Sequence, residues 1–125
     1  MKKNIIIMLA LVIALTAGLW FWVSYQEKNV PATPTASDIV LFYGKECPHC
    51  QDLAKFIEEK KIAEKVGFDS LEVWHNKANS DVMLERAQEC GFAKEQLGVP
   101  FLYAKGKCYI GGPDVEKFLT QEAGI

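Results

Sequence analysis

The chain has 125 residues, half of them hydrophobic, with 14 basic and 16 acidic side chains. That is material for one ordinary globular domain and excludes a string of several. Lys2 and Lys3 precede a long apolar run, and the remainder carries 12 basic against 16 acidic side chains, a net −4 that argues against nucleic acid or an anionic lipid surface as a partner.

The run from Ile5 to Val23 is 19 residues without a charge. At about 1.5 Å per helical residue it spans roughly the hydrocarbon thickness of a bilayer. It ends in Trp20, Phe21, Trp22 and Tyr25, side chains suited to the headgroup level, and begins behind two lysines. The expected arrangement is a cytoplasmic stub at residues 1–4, a transmembrane signal-anchor helix at 5–23 and the rest of the chain outside. A cleavable signal peptide shares the basic start and apolar core, but the run is long for one and no good Ala-x-Ala site follows at the right distance. An uncleaved anchor in the cell membrane is the favoured reading.

Residues 24–37 are short of apolar side chains and hold Pro31 and Pro34, the composition of an extended tether. The domain then occupies 38–125. Ile39 to Tyr43 reads as a strand buried on both faces. From Pro48 the spacing of Leu53, Phe56 and Ile57 predicts a helix, with Pro48 in its first turn, where a missing N–H is no loss. Phe68 to His75 predicts a second strand, and Asn79 to Cys90 a second helix with cap residues at Asn79 to Asp81. Val99 to Gly112 predicts two short strands about a Lys105-Gly106 turn, and Asp114 to about Gln121 a last helix. The order βαβαββα, with one right-handed crossover and one hairpin, predicts a four-stranded mixed sheet with helices on both faces.

Cys47-Pro48-His49-Cys50 falls where the first strand gives way to the first helix. A sulfur at or just before the N-cap faces unpaired backbone N–H groups and the positive end of the helix dipole, which favours its thiolate. Cys50, one turn on, is within reach of a disulfide and is expected to be the more shielded. Cys47 is therefore the expected attacking sulfur and Cys50 the resolving one. His49, as a donor or cation beside Cys47, further favours the thiolate, stabilises the reduced pair and makes the disulfide more oxidising. Downstream, Val99-Pro100 precedes a predicted strand, a position where a proline is tolerated.

Cys47-Pro48-His49-Cys50 after an apolar strand, Val99-Pro100 before a hairpin and Gly111-Gly112 before the last helix together resemble the thioredoxin superfamily in its short, glutaredoxin-sized form. The match covers roughly residues 39–119. The Pro-His dipeptide and the valine before the proline resemble the DsbA branch of exported disulfide-forming oxidants. The resemblance implies Cys47 as nucleophile, Cys50 as resolving cysteine and Pro100 as a cis-proline facing them.

Three departures bear on mechanism. The large helical insertion of DsbA is missing. Where thioredoxins carry an Asp on the first strand that helps move the resolving proton, this chain has Leu41, leaving Glu46, Glu72 or water as substitutes. Where glutaredoxins place a basic residue three before the first cysteine, this chain has Gly44, with Lys45 one closer, so glutathione binding through Lys45 and Asp114 does not carry over.

The expected function is thus a membrane-anchored, extracytoplasmic thiol-disulfide oxidoreductase acting on protein substrates across Val99 and Pro100. It needs no metal or organic cofactor, and a redox-recharging protein or small thiol must be its second partner. Two other readings stand beside it: a non-catalytic peptide-binding module, and a zinc-binding structural domain using Cys47, Cys50 and two of Cys90, Cys108 and His75. Cys90 and Cys108 have three readings of their own: small buried thiols, a structural disulfide worth about 3 kcal/mol, or a second, relaying redox pair. Trp74 and Tyr43 read as core packing or as aromatics flanking the motif.

Overall fold

The computed structural model describes residues 1–27 and 38–125, so most of the expected tether lies outside the described residues. The chain forms two separate units, one holding the N-terminal helix and the other all remaining elements.

The N-terminal helix, α1, runs Lys2–Glu27. Its apolar side chains from Ile5 to Trp22 are exposed, with no face set apart for a core, as expected when the surrounding medium is itself apolar. Among the described residues it is the one helix long and apolar enough to cross a membrane, judged by length and composition.

The second unit has the thioredoxin-like architecture. Its elements are β1 (Ile39–Tyr43), α2 (Pro48–Glu59), β2 (Asp69–Glu72), α3 (Lys77–Glu89), β3 (Phe101–Ala104), β4 (Lys107–Ile110) and α4 (Gly112–Ala123), with short 3₁₀ turns at 62–64 and 94–96. The sheet order is β2-β1-β3-β4. β1 runs parallel to β2, with Leu41 opposite Ser70, and antiparallel to β3, with Phe42 opposite Phe101. Only a crossover can join parallel neighbours, and α2 supplies it; a two-residue turn suffices for β3 and β4. Lys105 and Gly106, with φ of 51° and 82°, supply the left-handed pair that such a tight turn requires.

Alternation along β1 divides the core in two. Ile39 and Leu41 face α2 and α4, packing with Leu53, Leu102, Val115 and Leu119. Val40 and Phe42 face α3, packing with Leu71, Met83, Ala87 and Phe101. Two helices cover the first face and one covers the second, so the continuous apolar run of β1 is the signature of a strand covered on both sides.

Three boundaries differ from expectation for local reasons. β2 stops at Glu72 rather than His75, because the Glu72 carboxylate accepts the backbone N–H of Trp74 at 3.0 Å and of His75 at 2.8 Å and turns the chain off the sheet. α3 begins at Lys77 because Asn76, not Asn79, is its cap: the Asn76 side chain accepts from Asn79 N at 3.1 Å. Asn79 is instead buried and donates to the Glu72 carbonyl at 2.9 Å, tying α3 to the end of β2. α4 starts at Gly112, two residues early, with Pro113 in its first turn.

Candidate functional site

The site forms where β1 ends and α2 begins. Cys47 is the N-cap of α2, in extended conformation, and its Sγ accepts the backbone N–H of Cys50 at 3.3 Å. Its carbonyl accepts from Gln51 N at 3.1 Å, opening the intrahelical ladder. An otherwise orphaned first-turn N–H is thereby satisfied by a sulfur, the role usually taken by a serine or aspartate oxygen.

Both thiols are free. Burial, followed by the hydrogen bond with Cys47, pushes the Cys50 thiol up to about 12, against the opposing pull of the Gly44 backbone. The expected difference in shielding is not seen: Cys47 is 4% exposed and Cys50 6%. The two differ by hydrogen bonding and not by access, since the Cys50 N–H is given to the cap sulfur.

The second arm is the turn before β3. The Val99-Pro100 peptide is cis, and the Cys47 thiol donates to the Val99 carbonyl at 3.7 Å. Pro100 is fully buried, and its carbonyl accepts from Gly111 N at 2.8 Å. Residues 47, 50 and 99 thus meet across a chain separation of about 50 residues. His49 and Pro48 are exposed on the first turn of α2.

Around Cys47 lies a set of contacts that sequence reading missed. The Glu72 carboxylate accepts Lys45 N at 3.3 Å as well as Trp74 N and His75 N, clasping the loop after β2 to the loop before Cys47. Partial burial raises the Glu72 carboxyl, but the three N–H groups outweigh it and hold the group below its ordinary value. His75 Nε2 meets Glu46 at 2.8 Å, and that hydrogen bond lowers Glu46 and raises His75. The Trp74 ring covers Gly44 so closely that a Cβ there would overlap it. The signal for this last contact was present in sequence, a glycine directly after a buried strand, but nothing local says what lies on it.

The proposed substitutes for the strand Asp fare differently. Leu41 is buried and apolar. Glu46 is held by His75 and Glu72 by three N–H groups, and neither is among the groups acting on Cys50. Only water remains.

Cys90 and Cys108 are joined by a disulfide, with Cα atoms 6.1 Å apart, which links the end of α3 to β4. Those two sulfurs are therefore spoken for, and among the described residues no three His, Cys, Asp or Glu side chains gather as a metal site. The ligand set required by the zinc reading is not assembled. Tyr43 is half-buried, and Trp74 is 52% exposed over Gly44 rather than in the core.

No protein-family model matches the chain, and no curated protein matches it. Among solved structures it is similar to the buckwheat glutaredoxin-glutathione complex, with 16% identity and a TM-score of 0.48 over 71% of this chain and 81% of that one. Oxidised glutaredoxin 2 from Chlamydomonas reinhardtii gives 21%, 0.47, 71% and 84% for the same quantities. The thioredoxin of Malassezia sympodialis gives 20%, 0.43, 71% and 79%. Strand order and register, rather than these likenesses, carry the fold assignment.

Proposed function

We propose that this chain is a membrane-anchored, extracytoplasmic thiol-disulfide oxidoreductase of the thioredoxin-like kind, acting on protein thiols and disulfides through Cys47 and Cys50. The observation that carries the reading is the placement of the Cys47 sulfur, which receives the Cys50 N–H at 3.3 Å and lies 3.7 Å from the Val99 carbonyl. A helix N-terminus stabilises negative charge on that sulfur as it attacks or leaves. The Cys50 thiol, pushed up to about 12, stays protonated until the mixed disulfide is to be resolved.

In the working cycle Cys47 forms a mixed disulfide with a substrate segment lying along Val99 and Pro100, and Cys50 displaces the substrate sulfur. α1 holds the domain at the membrane, with residues 1–4 cytoplasmic, 5–23 spanning and 38–125 outside, the tether beginning where the helix ends at Glu27 rather than at Ser24. An exported or membrane redox partner recharges the pair.

The test is thiol oxidation and insulin reduction by the full chain, with Cys47→Ser as control. Retention of function by that variant would leave a peptide-binding module as the better reading. The reduction potential of the pair gives the direction: near about −120 mV marks a donor of disulfides, near about −270 mV a reductant. The Pro48-His49 dipeptide favours the oxidising half, and His49→Leu is expected to lower the potential. An unchanged value removes His49 from the mechanism.

A further inference from the structure

Thiol-disulfide exchange at this site requires Cys50 to lose a proton when it attacks and to regain one when it is displaced. Burial, the first cause of the raised Cys50 thiol, persists in the mixed disulfide, where Cys47 no longer carries a thiol, and it disfavours the Cys50 thiolate there. The groups acting on it are Cys47 and the Gly44 backbone, with no acidic or basic side chain among them. Leu41 stands on the strand beside it, and Glu46 and Glu72 are bonded elsewhere.

The fold supplies an opening instead. A cleft of roughly 530 Å³ runs between α2 and the edge strand β2, with Cys50, Leu41, Tyr43, Ala54, Phe68 and Ser70 in its wall. Ala54 and Ser70 are exposed, so the cleft is open to solvent. At about 30 Å³ per water it has room for several molecules, and Tyr43 and Ser70 are the wall residues that carry hydroxyl groups. The small residues are what keep it open: Ala54 on α2 and Ser70 on β2 stand where longer side chains would fill it. Register explains why it leads to Cys50, since Ser70 lies opposite Leu41 on the face of the sheet that α2 covers.

Resting on the reading of this domain as a thiol-disulfide oxidoreductase, we propose that this cleft is its proton port, through which water, or a small neutral base of the size of imidazole, takes the proton from Cys50 and returns it. In the resolving direction the Cys50 thiol gives its proton to a base in the cleft, and its sulfur attacks Cys47 Sγ of the mixed disulfide. The bond between Cys47 and the substrate sulfur breaks, the Cys47–Cys50 bond forms, and the substrate sulfur leaves with the electron pair and is protonated by solvent. The dithiol is oxidised by two electrons and the substrate disulfide reduced, with no further redox agent. In the opposite direction the same cleft protonates Cys50 as it is released. The port therefore serves an oxidant and a reductant equally.

The test is stopped-flow reaction of the reduced full chain, in detergent micelles, with a chromogenic aromatic disulfide. The first phase reports attack by Cys47 and the second reports resolution by Cys50. Ala54→Leu and Ser70→Leu each narrow the cleft, the first with a good helix former on an exposed helix face. In both variants the first phase is expected to hold within about twofold and the second to slow by roughly tenfold or more, the scale of a lost proton-transfer route. Added imidazole is expected to speed the second phase of the parent chain and not that of the narrowed variants, a response that mere displacement of Cys50 does not produce. A second phase unmoved in both variants, or equally responsive to imidazole in all three proteins, overturns the port while leaving the exchange reading intact. Absence of the first phase in the parent chain overturns both.

Discussion

Two pairs of cysteines sit in opposite circumstances in this domain. Cys47 and Cys50 are three residues apart on one helical turn, free and nearly inaccessible. Cys90 and Cys108 are 18 apart, bonded, and join the end of α3 to the edge strand β4. The first pair belongs to one element and stiffens nothing when it closes. The second joins two separate elements, and among the described residues α3 is the only helix on its face of the sheet. What separates the free pair from the bonded one here is therefore backbone: the Cys50 N–H aimed at a sulfur in one case, a long loop closed in the other.

The largest effect expected from breaking that contrast is at Cys47. Cys47→Ser should lower thiol-disulfide exchange by at least about 10³-fold, more than roughly 4 kcal/mol in barrier height. Its unfolding free energy should stay within about 1 kcal/mol of the parent, because serine is itself a good N-cap. The double change Cys90→Ala with Cys108→Ala should do the reverse, costing about 3 kcal/mol in denaturant unfolding while exchange per folded molecule holds within about twofold. Loss of exchange with the fold intact in that double variant would show the second pair to be a relay and dissolve the distinction.

The first pair was legible in sequence because everything that positions it is local: the apolar run of β1, the glycine after it, Cys47 as cap and Pro48 in the first turn. The hairpin was legible for the same reason, through Lys105 and Gly106. What was not legible depends on contacts between distant segments. Nothing in Phe68 to His75 announces that the Glu72 carboxylate, by collecting three backbone N–H groups, ends the strand early, or that Asn79 is drawn inward to the Glu72 carbonyl and leaves capping to Asn76. Equal burial of Cys47 and Cys50 likewise depends on the neighbouring turn at Val99, about 50 residues away.

A smaller effect is expected at Gly44, where the free pair is braced by packing rather than by a bond. Gly44→Ala places a methyl into the Trp74 ring, and the overpacking should cost about 1–3 kcal/mol unless the ring swings away. Combining it with Trp74→Ala should restore most of the loss, a coupling of about 1 kcal/mol or more in a double-mutant cycle. Simple additivity would mean that the ring does not rest on Gly44 in solution.

The smallest effect concerns the Glu46-His75 pair, the polar counterpart of the covalent clasp at the other site. Its hydrogen bond raises the His75 ring above 6.5 and lowers the Glu46 carboxyl below 4.5. On the histidine side the contribution to stability is complete below pH 6.5 and is lost as pH rises through the folded-state value. On the glutamate side it is complete above pH 4.5 and is lost as pH falls through the depressed value. The pair is therefore fully engaged between those limits and slackens on either side. Because both side chains are exposed, its effect on unfolding is slight, and the sensitive readout is His75 itself. Following its ring protons by NMR, Glu46→Gln should move the midpoint down toward the ordinary histidine value, with exchange by Cys47 little changed. An unmoved midpoint would mean that the loop before Cys47 is held to the loop after β2 by Glu72 alone, and that a single carboxylate suffices on this side where a covalent bond is used on the other.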